Sequence, residues 1–571
     1  MNSSPLLNHI LVKSASLAVL VFALFVGWFR WVTHIPRPAL TEAEQRVIDS
    51  ALALSGDTLW WWGSARLRHT PYDLWELYLE GDPVRRGAAH GRLMKPLLRY
   101  QEHAFLDFLH TIIPSTGYLK FLRYVVAFFN RRLPEYVLPE FQKEFLALSY
   151  FHADTFDFVG SKFERVLHYH AAHDVGHALQ NYMLVGCSSF AVWDSFSSDG
   201  RLLVGRNFDF FAGEAFARHR VVQFVKPDSG YRFISVVWPG FCGVVSGLNE
   251  KGLSVTINAS ASRPPLSAKT PISLLTREIL QYAGNLDEAL RIARKRRTFV
   301  SESILVCSGP ENRAFIIEKT PYATAVFRSP MPRLICTNHF QSDSLKNDTY
   351  HQKHVISPDS PFRWATIQKA LEQMGPCTPA AAAAILRRRT GPSGEDLGLG
   401  NPMALNQLLG HHAVVIQPGS RTLWVASPPY QLGTFVCYQL DSAFARIERN
   451  FCGPWSVEEQ NIPADTFQKS LAFRLLPIYR KLENITRWFA QRPKVARLLP
   501  DTVVRLLTLY NPHYFGAHKA TGDYYKACGR TVEATRAYKN ALRCAVPDKR
   551  LALQIREALQ ELEMTKNASP W

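Results

Sequence analysis

The sequence predicts an α+β protein with a strand-rich centre packed between helical flanks. Three observations carry that expectation. From residue 187 onward short apolar runs alternate with turn chemistry, as in "CSSFAVWD", "SSDG", "RLLVGRNFD", the pattern of antiparallel hairpins. Two helix-period segments, near 271–283 and 286–297, interrupt the strands, with Asn285 placed to cap the second. The stretches 38–180 and from about 456 onward read as helices, for example "RLMKPLLRYQEHAFLDFLHTII". Strands, a helical pair, more strands and helical cover together suggest sheets layered against helices.

At 571 residues the chain exceeds what one core organises, and we divide it into four parts. The first, 1–36, is read as a membrane anchor. Its run "SASLAVLVFALFVGWF", Ser14 to Phe29, is uncharged and with "HILV" before Lys13 approaches the roughly 20 residues a spanning helix needs. The rival, a cleaved signal peptide, lacks a small-x-small site, because "GWFRWVTHIPRP" is bulky and basic. Trp28 and Trp31 with Arg30 suit an interfacial belt. Lys13 lies on one side and Arg30 and Arg37 on the other, so charge decides little, and we lean to an extracytoplasmic catalytic part in a single-pass protein. Residues 37–186 form the helical segment, 187–445 the catalytic domain, and 446–571 a helical region. Within the last, Gly522, Tyr525, Ala534, Tyr538 and Ala541 fall at tetratricopeptide spacing, followed by Pro547. One such repeat cannot bury its own face, so a hairpin capping the enzyme and a site for a protein partner are both open.

The net charge of +18 admits a nucleic acid, an anionic membrane or an acidic substrate. Lys and Arg are scattered, however, and the one dense run, "RKRR" at 294–297, ends a predicted helix where cations complement the dipole. A membrane partner is expected and a nucleic acid is not. The nine cysteines show no CxxC and no even framework, so free thiols rather than disulfides are expected.

The chemistry is read at "GCSSF". If the Gly186–Cys187 bond were cut, the Cys187 thiol would lie beside its own α-amino group, whose ordinary pKa of about 7.7 to 8 suits a general base. The side chain can itself attack the preceding carbonyl, and glycine tolerates the strained backbone such an attack needs. In the partner strand of the first hairpin, "GRNFD" places Arg206 and Asp209 where they fold back toward Cys187. An arginine stabilises a thiolate or anionic group, and a carboxylate can hold an α-ammonium.

The ordered set "GCSSF", "DGRLLVGRNFDF", "GLNEKGLSVTIN" and "TNHF" resembles the N-terminal nucleophile hydrolases, specifically the acyl-coenzyme A:6-aminopenicillanic acid acyltransferase family. Choloylglycine hydrolases, penicillin V acylases and acid ceramidase-like amidases are more distant kin. The resemblance covers roughly 187–440, with a weaker echo at "GDPVRRGAAHGRL". It implies a four-layer αββα sandwich, self-cleavage between Gly186 and Cys187, and acyl transfer or hydrolysis at nonpeptide amide bonds or thioesters. It further implies Cys187 as nucleophile, Arg206 and Asp209 beside it, Asn258 lining an oxyanion hole, Asn338 as a second active-site asparagine, and Arg363 in the place of a later arginine. No cofactor is implied. The anchor and the aromatic-rich composition favour a lipid-like or amphipathic small-molecule acyl amide.

Two other classes compete. "HYHAAHDVGH" puts His168, His170, His173 and His177 together, and His173 and His177 at i and i+4 have metal-ligand spacing, though the glutamate of HExxH is missing. A metal-dependent hydrolase would use that cluster. A non-catalytic membrane scaffold would use the C-terminal repeat-like helices. Neither "SGPEN" nor "GPSGEDLGLG" matches a nucleotide-binding loop.

Overall fold

The computed structural model describes residues 5–568 other than 51–52, 56–58, 114, 180–185, 211, 264–266 and 355–358, and at 5–12, 53–55, 172–179, 353–354 and 565–568 it describes the backbone alone. The chain combines helices with two sheets. In chain order the strands are β1 (Ala53–Ser55), β2 (Leu59–Trp62), β3 (Ala65–His69), β4 (Leu74–Gly81), β5 (Ser188–Val192), β6 (Leu203–Phe208), β7 (Arg220–Pro227), β8 (Phe233–Val237), β9 (Ser246–Asn249) and β10 (Leu253–Ala259). There follow β11 (Glu302–Ser308), β12 (Arg313–Lys319), β13 (Thr324–Phe327), β14 (Arg333–Cys336), β15 (His412–Gln417), β16 (Thr422–Ala426) and β17 (Phe435–Gln439). The large sheet has the order β1-β2-β3-β4-β7-β8-β9-β10-β11-β12-β13, and the small one β14-β5-β6-β15-β16-β17.

The hairpins expected from 187 onward form as β5/β6, β7/β8 and β9/β10, and the helical pair as Ile272–Tyr282 and Leu286–Lys295, the latter capped by Asn285 accepting from Glu288 N. The expectation of a helical 37–186 needs correction at 53–81. There β1 to β4 extend the large sheet, turning at Gly63, whose φ of +57 suits a residue without Cβ. β4 runs parallel to β7 along its length, from Leu74 opposite Arg220 to Gly81 opposite Pro227. The segment before Cys187 is therefore part of the sheet that the segment after it builds.

Alternation along each strand sorts side chains between cores. On one face of the large sheet Leu77, Val221, Ile257 and Ile304 meet helical residues such as Phe145, Leu275 and Leu280. On its other face Tyr78, Val222, Ile234 and Ile316 meet Ala191, Val204, Val414 and Leu423 of the small sheet. The far face of the small sheet, with Phe190, Leu203 and Val415, meets Ile367, Ala383 and Leu386 from the helices Asp359–Gln373 and Pro379–Leu386.

At the carboxyl end, the helices Phe515–Ala527 and Thr531–Arg543 pair as a hairpin, with Gly522 against Tyr538; a Cβ at 522 would come 2.6 Å from that ring. A separate core joins Leu476, Tyr479, Leu507 and Ala520 to Leu408 and Leu432 of the catalytic part, so this helical region packs on it. Among the described residues one helix, Lys13–Thr33, has the length and composition to cross a membrane, properties that a signal sequence shares.

A buried ion cluster ties the segments before and after 186 together. Gly87 lets the helix Pro83–Leu93 approach the helix Pro139–Ser149 so closely that a Cβ would lie 2.1 Å from Glu144 O. Glu144 then meets Arg86 at 3.0 Å and Arg277, beyond Cys187, at 2.7 Å, all three being buried. Burial alone would raise the Glu144 carboxyl, but Arg277 and Arg86 bring it down to about 2. Its depressed pKa means that its contribution is present above the ordinary carboxylate range and is lost as pH falls toward 2. Glu144→Ala strands two buried guanidinium groups and is expected to cost about 3–5 kcal/mol at neutral pH, read from the urea unfolding midpoint; a loss below about 1 kcal/mol would mean that the cluster is solvated.

Candidate active site

Cys187 immediately precedes β5. In the β5/β6 hairpin Ser189 lies opposite Arg206 and Ser188 opposite Asn207. With a period of two, Cys187, Ser189, Arg206 and Phe208 share the face toward the large sheet, while Ser188 and Asn207 face the helices. The hairpin thus brings Arg206 to Cys187 as the spacing predicts, with Nη2 donating to Sγ at 3.9 Å. The guanidinium is fully buried. It donates to Val245 O at 3.0 Å, to Ile257 O and to Ser246 Oγ, and stacks 4.5 Å from the Phe208 ring centroid. Ser246 in turn meets His412 Nε2 at 2.9 Å.

The Cys187 thiol is buried, and burial pushes it up to about 11, with Arg206 opposing and Asp209 and Glu302 adding to the rise. At neutral pH it is a thiol, not a thiolate. Asp209 follows β6, and its backbone oxygen accepts from Gly186 N at 2.9 Å. Its Oδ1 accepts from Gln431 Nε2 at 2.8 Å, whereas buried Oδ2 has no hydrogen-bond partner among the described residues. Burial raises this carboxyl to about 7 against the pull of Arg363, Gln431 and Arg206.

Arg363, from the helix Asp359–Gln373, reaches the same peptide from the other side. Its Nη1 donates to Gly186 O at 3.2 Å, Cys187 O at 2.6 Å and Ser188 Oγ at 2.9 Å, and its Nη2 to Asn338 Oδ1 at 2.8 Å. Asn338 Nδ2 donates to Ala259 O at 2.8 Å. Asn258, on β10, accepts from Ser189 Oγ at 2.9 Å and donates to Cys336 O at 2.9 Å. Cys187, Arg206, Asp209 and Arg363 therefore meet at the 186–187 peptide, with Asn338 behind Arg363 and Asn258 behind Ser189. One N–H of each asparagine amide is taken by a backbone carbonyl, and neither amide donates to the Gly186 carbonyl among the described hydrogen bonds.

The second donor on that carbonyl is a residue that sequence reasoning missed. Gln407 Nε2 donates to Gly186 O at 3.2 Å, and a Cβ at 186 would fall 2.2 Å from that nitrogen, which accounts for the glycine. Gln407 lies in the irregular stretch before β15, where periodicity carries no signal, as does Gln431 before β17. Beside the site a narrow cleft of about 60 Å³ is lined by Leu98, Phe105, Phe210, Phe216, Trp238 and Phe241, with Glu102 and His152 among its polar groups. Phe208 stacks on Trp238 at 6.4 Å, so an aromatic relay links the cleft to Arg206.

Two of the four clustered histidines, His168 and His170, have described side chains. His170 is used structurally, accepting from Cys242 N at 2.8 Å while its Nδ1 faces Val166 O. His168 is pushed down to about 4 by burial. The side chains of His173 and His177 lie outside the described residues. Among those described no group of three or more His, Cys, Asp or Glu has a metal-holding arrangement.

Residues 196–393 match the family model of acyl-coenzyme A:6-aminopenicillanic acid acyl-transferase. The matched segment, which holds Arg206, Asp209, Asn258, Asn338 and Arg363 and begins after Cys187, is similar to the family that the motifs resemble. An uncharacterized protein of Archaeoglobus fulgidus is 33% identical over 137 residues, 23% of this chain and 22% of the relative. Protein dcd1B of Dictyostelium discoideum is 24% identical over 271 residues, 45% of this chain and 52% of its own. The chain thus spans about half or less of these curated relatives. A solved Caenorhabditis elegans ortholog of N-acylethanolamine-hydrolyzing acid amidase is similar at 18% identity and a TM-score of 0.32, over 41% of this chain and 93% of the other.

The raised Asp209 carboxyl has a pH consequence that can be measured in uncut protein. Its folded pKa of about 7 lies above the ordinary value of 3.8, so the precursor loses stability as pH rises between those limits. In a Cys187→Ala background, Asp209→Asn is expected to raise Tm by several degrees more at pH 8 than at pH 5; equal shifts would place the carboxylate in solvent.

Proposed function

We propose that this chain is a self-processing cysteine N-terminal nucleophile amidohydrolase or acyltransferase, acting on nonpeptide acyl amides or thioesters of a lipid-like or amphipathic kind. In this reading the three cores are the interfaces of a four-layer αββα sandwich, and the helix Lys13–Thr33 holds the enzyme on a membrane. The family match over 196–393 supports an enzyme of amide and acyl-transfer chemistry. The observation that carries the self-processing step is the pair of donors, Arg363 and Gln407, on the carbonyl of Gly186.

Self-cleavage would proceed as follows. The Cys187 sulfur attacks the Gly186 carbonyl carbon, and the developing oxyanion is stabilised where Arg363 and Gln407 already donate. The carbon–nitrogen bond breaks, the Cys187 nitrogen takes up the thiol proton and becomes the free α-amine, and a thioester remains. Water opens the thioester, leaving a Gly186 carboxylate and a free Cys187 thiol, and the proton released passes to the α-amine. The new α-ammonium supplies the donor that Asp209 Oδ2 lacks in the uncut chain, and neighbouring positive charge lowers the thiol pKa.

On an acyl amide the same residue works twice. The α-amine takes the thiol proton, the sulfur attacks the acyl carbon, and the α-ammonium returns the proton to the departing amine. Water, or an acceptor amine in the transferase case, then releases the acyl group. Departure of Gly186 frees the Arg363 and Gln407 donors for this second oxyanion. The resemblance adds Asn258 and Asn338, each of which would bring the amide N–H not held by a backbone carbonyl.

Intact mass of purified protein tests the reading: wild type is expected as two co-purifying fragments meeting at 186/187, and Cys187→Ala as one chain. Gln407→Leu should slow the appearance of fragments by about 10²-fold, the usual loss for one oxyanion donor. A wild type that stays whole while hydrolysing acyl amides would overturn the proposal.

A further inference from the structure

The helix Thr116–Asn130, "TGYLKFLRYVVAFFN", is apolar or aromatic at ten of its fifteen positions, yet Asn130 is its one buried residue. Tyr118, Phe121, Tyr124, Val125 and Phe128 are all exposed, Phe121 at 57%. A helix this apolar is normally enclosed by protein or lipid, and exposed apolar surface of this extent marks an interaction site. The remaining polar positions carry no acid. Lys120 and Arg123 lie on the helix and Arg131 and Arg132 follow it.

Its neighbour identifies what covers it. The helix packs on the end of Lys13–Thr33, with Phe29 stacked on Phe128 at 6.2 Å, Phe29 edge-on to Tyr124 at 6.0 Å and Trp28 against Phe128 at 6.5 Å. The same last turn is tied to the enzyme through Phe129, whose ring lies 5.1 Å from that of Phe299. The exposed apolar face is therefore continuous with the exposed apolar surface of the anchor. Cations beside aromatic rings are the composition of a helix lying in the headgroup region of an anionic bilayer.

We infer that Thr116–Asn130 is a second membrane element, lying in the bilayer interface beside the anchor. This rests on reading Lys13–Thr33 as a membrane helix. It bears on the site because the preceding helix, Lys95–Ile112, lines the cleft with Leu98, Gln101 and Phe105 and ends at exposed Ile112. From Phe105 to Ile112 is about 10 Å of helix, so lipid contact at one end of this rod holds the cleft close to the bilayer surface.

The test uses the full chain in vesicles of phosphatidylcholine and phosphatidylserine containing a phospholipid with a photoactivated diazirine in its acyl chain near the headgroup. After illumination, carbene adducts are mapped by peptide mass spectrometry. Adducts are expected on peptides spanning 13–33 and on those spanning 118–128, and Phe121→Glu with Val125→Glu should reduce the second set at least fivefold while leaving the first. Adducts confined to 13–33 would overturn the inference and leave the anchor standing. Adducts on neither would overturn the anchor reading, and the inference with it.

Discussion

One buried guanidinium organises the centre of this molecule. Arg363 has no exposed surface and binds the carbonyls of Gly186 and Cys187, the Ser188 hydroxyl and the Asn338 side chain. An unmatched buried charge is costly, so these acceptors have to be held where they are. The peptide 186–187, the start of β5 and the segment after β14 are therefore positioned by one group. Arg206 performs the same service from the other face, through two backbone carbonyls, Ser246 and the sulfur. Between the two cations lie one peptide bond and one thiol.

That arrangement also needs the flanking parts. β4, paired along β7, and the Glu144 cluster join the segment before 186 to the segment after it, so cutting between them need not separate them. At the carboxyl end, Arg480 donates to Leu408 O, and Leu408 packs with Leu476, Tyr479 and Leu507. These contacts brace the loop that carries Gln407. The C-terminal helices thus connect to the chemistry through a loop, whatever else their repeat-like hairpin binds.

Much of this is legible in the sequence because hairpins are local. Spacing and turn residues place Arg206 beside Cys187, and alternation assigns them to one face. Asn258, Asn338 and Arg363 become legible only through resemblance, since each approaches from a distant element. β1 to β4 are missed because "LWWW" and "ARLRH" mix aromatics with charge and because their pairing with β7 joins residues far apart in the chain. Gln407 and Gln431 lie in irregular backbone, where neither period nor propensity marks them. The helix Thr116–Asn130 is legible as a helix, but its exposure depends on what it fails to pack against.

The central claim is that attacking sulfur and proton acceptor belong to one residue. 2-Cyanobenzothiazole condenses with a free amine and thiol on the same cysteine, so it reads that claim directly. Active full-length-derived protein is expected to take up one equivalent, mapped to Cys187, with activity falling in proportion and with no uptake by Cys187→Ala. Catalytically active protein that takes up none at position 187 would contradict the account.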